Sequence, residues 1–406
     1  MKQDDRCEKA PDALSGGLKT DRMTGKMKRE TMRAWAEIDL GALVHNLEYA
    51  KKLTGRKVCA VIKGDAHGHG ALKCAETLAA HGCDAFAVAC LEEGIELREG
   101  GIMKPILVLG WTPAAFAPDL AEYRLTQSVL DEAYANELEE ALSSFGGHLD
   151  VHVKIDTGMS RTGLFAQNGP GEAAEAILRI DKLPHLGITG IFTHYAAADV
   201  RSKDAFTAWQ LENFKAVLAR LEEKGFDRSK VTVHASNSAC VLYHPETYFD
   251  MVRLGVMVYG FYPDDIFRPD GPLRQVLSLK ARVAQVKELP AGSHVSYGCT
   301  FETSRPTTIA VVSAGYADAY PRILSNKGAY AVINGVKCPQ IGRICMDLCM
   351  FDVTGADVKR SDVAILYGKG GIPLEEIAAL AGSINCEPTS LLTKRVRKVY
   401  IEAEEA

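Results

Sequence analysis

The chain has 406 residues, of which 47% are hydrophobic and 24% charged, and its formal net charge is −5 at pH 7. This is the composition of a soluble globular protein, long enough for two domains or for one large barrel with an appendage. The negative net charge does not indicate binding to nucleic acid or to an anionic membrane surface. No apolar run is long enough to span a bilayer.

The chain begins with charged residues and does not resemble a signal peptide. Residues 1–31 are rich in Lys, Asp, Arg and Gly and poor in β-branched residues, so we expect them to be a disordered tail. A translation start at or near Met32 is an alternative explanation. The 11 cysteines have no paired framework, which favours free thiols in a reducing cytoplasm. Cys345 and Cys349 are the closest pair, and we expect no metal there.

From Arg33 onward, short apolar runs alternate with segments of helical period. This alternation predicts an α/β fold, a (β/α)8 TIM-type barrel over residues 32–270. An open doubly wound sheet is the alternative, because periodicity does not prove closure. The predicted strands are Lys57–Lys63, Ala85–Cys90, Pro105–Gly110, Leu125–Val129, Leu149–Asp156, Ile188–His194, Val231–Ser236 and Met251–Gly255. The predicted helices include Ala71–His81, Leu91–Glu99, Asp131–Phe145 and Asp204–Lys224.

Beyond Gly271 the runs become shorter and alternate with turns, which predicts a mostly β C-terminal domain over residues 271–406. Asn334-Gly335 between two apolar runs indicates a two-residue hairpin turn. The predicted strands are Leu277–Leu289, Thr308–Ser313, the hairpin Tyr330–Ile341, Cys349–Val353 and Val363–Tyr367. Short helices are predicted at Pro373–Ala381 and Thr389–Arg395.

The stretch Lys57–Gly70, KVCAVIKGDAHGHG, is the most informative part of the chain. Its apolar run predicts a buried strand that ends with Lys63. Burying a lysine costs several kcal/mol unless it is paired or neutralised, so a lysine that closes a core strand needs an explanation. One interpretation is a side chain that extends into solvent. The other is a lysine that forms an imine with a cofactor.

Polar residues also follow the other predicted barrel strands, whose carboxyl ends meet at one face. Arg161, His194 and Arg253 come from three of these ends, although each has an ordinary structural interpretation as an ion pair or core residue. Ser238 and the backbone amides around Gly255 suit a phosphate. The sequence contains no Walker motif and no strand-linked GxGxxG. A reactive lysine beside a phosphate site therefore suggests pyridoxal phosphate.

Several motifs occur together in a specific order. They are VIKGDAHGHG at 61–70, KIDTGMSRTG at 154–163, THYAAAD at 193–199, HASNSA at 234–239, MVRLGVMVYG at 251–260, VSYG at 295–298, GYAD at 315–318 and GRICMD at 342–347. With them the chain resembles the alanine racemase family from Trp35 nearly to its C-terminus. The resemblance implies a barrel, a C-terminal β domain, pyridoxal 5′-phosphate as cofactor, and a head-to-tail homodimer with shared active sites.

The resemblance also implies roles for individual residues. Lys63 would carry the cofactor and act as base on one face of the substrate, and Tyr297 from the partner subunit would be the opposing base. Arg161 and His194 would lie near this tyrosine, with Arg161 also facing the substrate carboxylate. Arg253 would sit beside the pyridine nitrogen and keep it unprotonated.

Other positions match cofactor or substrate contacts of the family. Asn237, Ser238, Gly255 and Val256 match phosphate contacts, the Met346 backbone and Tyr316 match substrate contacts from the other chain, and Lys154 matches a lysine that is carbamylated in some members. The expected activity is interconversion of L- and D-alanine, with D-alanine serving as a peptidoglycan precursor or entering breakdown.

Three positions depart from the family pattern. His67 and Lys394 stand where the family usually has tyrosine, and Arg397 stands where it has proline. His67 and Lys394 can still donate to a phosphate, or they reshape the pocket for serine or for a larger or acidic amino acid. The alternatives are therefore a racemase of another amino acid or a pyridoxal phosphate-binding protein without catalysis. A decarboxylase would leave Tyr297 unexplained, and a structural protein would leave the polar strand ends without purpose.

Overall fold

The computed structural model describes residues 31–402. The disordered tail predicted for residues 1–31 therefore lies, except for Thr31, outside the described residues. The strands are β1 Ala34–Asp39, β2 Lys57–Val61, β3 Ala85–Val88, β4 Ile106–Val108, β5 Thr126–Val129, β6 Leu149–Asp156, β7 Leu164–Phe165, β8 Leu186–Phe192, β9 Thr232–His234, β10 Met251–Leu254, β11 Leu277–Leu289, β12 Thr307–Val312, β13 Tyr330–Ile333, β14 Val336–Ile341, β15 Cys349–Asp352, β16 Val363–Tyr367 and β17 Arg397–Ile401.

The helices lie mostly between the barrel strands. They are α1 Leu40–Thr54, α2 Ala71–Ala80, α3 Leu91–Glu99, α4 Ala117–Glu122, α5 Glu132–Phe145, α6 Gly171–Ile180, α7 Asp204–Glu223, α8 Ser238–Tyr243, α9 Leu374–Ala381 and α10 Glu387–Ser390. Lys63–His67 forms a separate helical turn of the opposite hand, which is described with the site.

Eight parallel strands form a closed barrel in the order β2-β3-β4-β5-β6-β8-β9-β10. The ring closes where β10 pairs with β2 along Met251–Leu254. This closure confirms the predicted TIM-type barrel and excludes the open sheet. The barrel places the carboxyl ends of all eight strands at one end, where such barrels carry their sites.

Strand β6 shows how the sequence alternates between the two faces of the barrel wall. Val151, Val153 and Ile155 are buried in the same hydrophobic core as residues of the surrounding helices. Because side chains alternate along a strand, His152 and Lys154 point into the barrel interior. Polar residues in this strand therefore face the site rather than the outer core.

The second sheet is mostly antiparallel and has the order β12-β15-β14-β13-β16-β11-β1-β17, with β11 also pairing with β12. The Asn334-Gly335 hairpin is confirmed, because Ile333 pairs with Val336 and both turn residues have positive φ, 49° and 79°. Such angles are those of a type I′ turn. A mostly β C-terminal domain is thus confirmed.

Strand β1 belongs to the second sheet, although its residues fall in the range predicted for the barrel. It pairs antiparallel with β11 and parallel with β17. Trp35, Ala36 and Ile38 are fully buried. A strand covered on both faces has little polar alternation, so its sequence did not distinguish it from the start of the barrel.

Several predicted boundaries differ from the observed ones, and two of these differences lie near the barrel end that carries the polar residues. The strand predicted to run through Lys63 ends at Val61. The helix predicted over Thr389–Arg395 is instead the short helix α10, which begins at Glu387 with Pro388 in its first turn. Beyond it, residues 397–401 form strand β17, which pairs parallel with β1.

Candidate active site

A cavity of about 660 Å³ opens at the carboxyl ends of the barrel strands. Ten of the residues singled out from the sequence line it: Lys63, His67, Lys154, Arg161, His194, Asn237, Ser238, Arg253, Gly255 and Val256. Residues that the sequence did not single out line it too, among them Trp111, Thr162, Tyr195 and Cys386. The barrel thus brings two amines, two guanidinium groups and two histidines of distant sequence segments to one place.

Lys63 lies two residues beyond β2, and its side chain is exposed at the open cavity. The side chain is therefore not buried in the core, and it is accessible from the cavity. The four residues after it, Gly64 to His67, have φ of 62°, 53°, 54° and 52°. This is a left-handed helical turn, a conformation that costs a non-glycine residue roughly 1–2 kcal/mol. Such local strain persists only where the surrounding structure over-determines it.

Several contacts hold the left-handed turn. Asp65 accepts a hydrogen bond from the Ala71 amide at 2.8 Å and forms an ion pair with Lys398 of β17 at 2.5 Å. Gly64 donates its amide to Glu93 at 2.6 Å. The turn is thus anchored to α2, to α3 and to the second domain, which fixes the direction in which Lys63 leaves the backbone.

Gly68 closes the left-handed turn at φ 87°, and a β-carbon there would meet the backbone carbonyl of Thr389. We expect Gly68→Ala to lower the free energy of unfolding by about 2 kcal/mol or more, because the backbone cost of positive φ adds to this clash. Gly146→Ala is the matched control, since Gly146 has φ 78° and open space around a β-carbon. Denaturant unfolding measures both, and equal losses would contradict a contact role for Gly68.

Arg253 lies at the floor of the cavity and is 3% exposed. Its Nη2 donates to the carbonyls of Thr193 and Ala235 at 2.8 and 3.0 Å and to Nδ1 of His194 at 3.1 Å. Its Nη1 donates to Nδ1 of His234 at 2.8 Å. Burial lowers the pKa of Arg253 to about 10, so the guanidinium remains charged at neutral pH.

His194 accepts from Arg253 through Nδ1, so its own proton lies on Nε2. Burial, together with the charges of Arg253, Arg161 and Lys154, holds the pKa of His194 well below its ordinary value. His194 is therefore a neutral donor at the cavity wall. A second neutral imidazole, His67, lies nearby, and burial and the charge of Lys63 lower its pKa to about 4.

Ser238 and Asn237 shape the part of the wall after β9. The Ser238 hydroxyl accepts from the amides of Gly255 and Met257 at 2.9 and 3.3 Å. Asn237 caps α8 by accepting from the Cys240 amide at 3.0 Å. Asn237 thus caps a helix through its side-chain carbonyl, and it also lines the cavity with Ser238, Gly255 and Val256.

Lys154 is 6% exposed and donates to the Thr162 hydroxyl at 2.5 Å. Burial and the charges of Arg161 and Arg253 lower the pKa of Lys154 to about 8. Asp156 organises the loop that follows, because one of its oxygens accepts from the amides of Gly158, Met159 and Ser160. This loop presents Arg161 to the cavity.

Four predicted residues do not line the cavity: Lys394, which is described below, and the following three. Tyr297, Tyr316 and Met346 lie in the second domain and are 68%, 41% and 50% exposed. The loops that carry Tyr316 and Met346 are joined, since Tyr316 donates its amide to Cys345 at 3.1 Å and Ala317 donates to Met346 at 3.1 Å. They therefore form one exposed surface rather than part of this chain's own cavity.

A buried carboxylate fixes that surface. Asp318 is fully buried and pairs with Arg33 at 2.5 Å and with Arg395 at 2.9 Å. It also accepts from the Gly315 amide at 3.1 Å. The start of the described chain and its last segment thus both anchor the loop that carries Tyr316.

Lys394 is exposed and is not among the residues that line the cavity. The C-terminal residues that reach the cavity are Ile384, Asn385 and Cys386. The cofactor contact of Lys394 therefore stays a prediction.

Within residues 31–402, no helix is long and apolar enough to cross a membrane, and no cluster of three His, Cys, Asp or Glu could hold a metal ion. A barrel whose strand ends combine an accessible lysine with charged and neutral donors is typical of enzymes that hold an anionic cofactor on a lysine. Fold and site together define that class.

Comparisons with known proteins specify the family. The model of the alanine racemase N-terminal domain matches residues 38–263, and that of the alanine racemase C-terminal domain matches residues 276–400. The alanine racemase of Clostridium tetani (strain Massachusetts / E88) is 41% identical over 373 residues, which are 90% of this chain and 95% of that protein. The chain belongs to the alanine racemase family.

Comparisons with solved structures give the same family. The alanine racemase of Clostridium difficile 630 matches with a TM-score of 0.85 and 39% identity, over 92% of this chain and 96% of that one. An alanine racemase from Bartonella henselae with covalently bound pyridoxal phosphate matches with a TM-score of 0.81 and 31% identity, over 91% and 99% of the two chains. The family resemblance seen in the sequence is confirmed.

Proposed function

We propose that this protein is a pyridoxal phosphate-dependent racemase that interconverts L- and D-alanine by moving the α-proton between two bases. The observation that carries the proposal is the division of the site residues into two sets. Lys63 and the cationic groups line one cavity, whereas Tyr297, Tyr316 and Met346 form an exposed surface on the other domain. A site with two opposed bases is then completed by a second copy of the chain.

The residues of the cavity fit pyridoxal phosphate. Nδ1 of His67 is buried and has no hydrogen-bond partner among residues 31–402, so a donor or acceptor is left for a bound group. Ser238, Gly255 and the neighbouring Val256 would hold the phosphate, and Lys63 would form the covalent link. When bound, pyridoxal phosphate makes the α-proton of an attached amino acid acidic by delocalising the resulting charge.

The remaining residues have distinct tasks in this proposal. Lys63 takes or returns the α-proton on one face, and Tyr297 of a second copy does so on the other. Arg161 binds the substrate carboxylate. Arg253 would lie beside the ring nitrogen of the bound cofactor as a charged donor and would keep that nitrogen unprotonated. His194, neutral and protonated on Nε2, donates to groups at the cavity wall.

We also propose that the protein works as a homodimer in the cytoplasm. The cysteines of the described chain are all free, as in proteins of reducing compartments. Large apolar side chains are exposed on the cavity side and on the second domain, including Trp111, Ile384 and Leu348. Such residues favour an interface with a second copy.

The test of the activity is exchange of the α-proton in heavy water, followed across a panel of amino acids. The proposal predicts exchange with inversion for alanine at a higher kcat/KM than for serine, glutamate or larger amino acids. Preference for another amino acid would establish the alternative racemase. Binding of pyridoxal phosphate without exchange of any panel member would establish a carrier without catalysis.

The substrate preference depends on His67 in this proposal. Replacing it with the larger tyrosine narrows the cavity, so we expect His67→Tyr to raise the ratio of kcat/KM for alanine over serine by about tenfold. Lys394→Tyr is the control, because Lys394 does not line the cavity, and its ratio should stay within about twofold. Equal ratios in both variants would show that position 67 does not determine specificity.

A further inference from the structure

Below the cavity, the barrel interior contains a chain of polar side chains that continues beyond Arg253. Nη1 of Arg253 donates to Nδ1 of His234 at 2.8 Å, and Nε2 of His234 lies 2.9 Å from Nδ1 of His152. The three residues belong to β10, β9 and β6. His152 precedes Lys154 by two residues on β6, so the chain leads from the cavity floor toward the amino-terminal end of the barrel.

The order of donors and acceptors in this chain is fixed. Arginine has only donors, so Nδ1 of His234 must accept. Burial holds the pKa of His234 well below its ordinary value and lowers that of His152 to about 4, with the charge of Arg253 acting in the same direction. Both imidazoles are thus neutral at pH 7. The single proton of His234 lies on Nε2, and it is donated to His152.

This chain does not conduct protons to the cavity, because the guanidinium of Arg253 has no lone pair to accept one. Instead, these hydrogen bonds fix the positions of the side chains. His234 is fully buried, and Phe192 stacks on its ring with centroids 4.9 Å apart. Among the described residues, His152 is the hydrogen-bond partner of its Nε2. Without that acceptor, a buried donor would be unpaired, which is unfavourable enough to turn or displace the ring.

We propose that His152 is a positioning residue, which holds His234 in the orientation that directs Arg253 toward the cofactor. The role of Arg253 in this inference rests on the proposed function. The order of hydrogen-bond donors and acceptors depends only on residues of the protein, so it can be tested without cofactor or substrate.

The test uses two replacements of His152 and one control. His152→Phe keeps a ring of similar size and removes the acceptor, whereas the side-chain carbonyl of His152→Asn can still accept from His234. His148→Phe is the control, because His148 is also near the amino-terminal end of β6 but is exposed. Nitrogen-15 NMR of histidine-labelled protein without cofactor reports the protonated nitrogen of His234 and its exchange with water.

We expect a slowly exchanging proton on Nε2 of His234 in the wild type, in His152→Asn and in His148→Phe, and its loss in His152→Phe. In the loaded enzyme, His152→Phe should lower kcat about tenfold with little change in KM and should shift the absorption band of the cofactor. His152→Asn should recover most of the activity.

Three results would overturn the inference. The first is a proton on Nδ1 rather than Nε2 of His234 in the wild type. The second is unchanged kcat and absorption in His152→Phe despite loss of the Nε2 proton signal. The third is an equal loss of activity in both replacements together with equally lowered melting temperatures, which would show that His152 only fills space. If His152→Phe does not fold, the wild-type and His152→Asn spectra still show whether the proton of His234 lies on Nε2. A wild type inactive on every amino acid would contradict the proposed function and leave the NMR test of His152 intact.

Discussion

Lys63→Ala is expected to abolish the visible absorption of bound pyridoxal phosphate and to lower racemisation by about 10³-fold or more. The variant loses the covalent link and one of the two bases at once, and a single positioned base contributes about 10²–10⁴-fold. Absorption spectra after gel filtration measure the first effect, and α-proton exchange in heavy water measures the second. The fold should be unaffected, because Lys63 is exposed at the cavity.

Lys57→Ala is the matched control for this experiment. Lys57 is also an exposed lysine, but it begins β2 at the opposite end of the barrel. It should keep both absorption and turnover. Retention of colour and turnover in Lys63→Ala would refute the assignment of Lys63 as the cofactor-bearing base.

Tyr297→Phe is expected to keep the cofactor absorption and to lower racemisation by about 10²–10⁴-fold, because one general base is removed while the covalent link remains. One enantiomer of alanine should still exchange its α-proton with heavy water through Lys63, but without inversion. Tyr330→Phe serves as control, since Tyr330 lies on β13 of the same domain and does not line the cavity. Equal loss of exchange for both enantiomers would contradict the division of labour between the two bases.

A mixture of the two inactive variants tests whether the site is shared between subunits. In a mixed dimer, the Lys63 of one chain would meet the Tyr297 of the other, which restores one complete site. After unfolding and refolding of an equal mixture, about a quarter of the wild-type activity should return if chains pair at random in a symmetric dimer. If both residues acted within one chain, the mixture would stay inactive.

The sequence predicted the barrel well because its strands and helices alternate with clear local signals. Strand β6 and helix α3 of the barrel have the predicted ends, as does strand β11 of the second domain. The residues at the strand ends lie at one cavity because a closed parallel barrel has the carboxyl ends of all its strands at the same end. For this reason Lys63, His194 and Arg253 could be grouped without coordinates.

The errors arose where contacts between distant segments decide the structure. The left-handed turn after Lys63 depends on Lys398 and Thr389, which come from the other end of the chain. The approach of Cys386 to the cavity depends on how the C-terminal segment packs. The link between His152 and Arg253 through His234 joins three strands, and no spacing in the sequence reveals it.

The position of β1 has a consequence for the order in which the molecule is completed. This strand is made before the barrel, yet its neighbours in the sheet are β11 and β17, which are made after the barrel. During synthesis on the ribosome, the barrel strands can close before β11 and β17, the partners of β1, have been made. The sheet is therefore finished only when Ile401 has emerged, so the parallel pair of β1 and β17 forms after all strands of the barrel have been made.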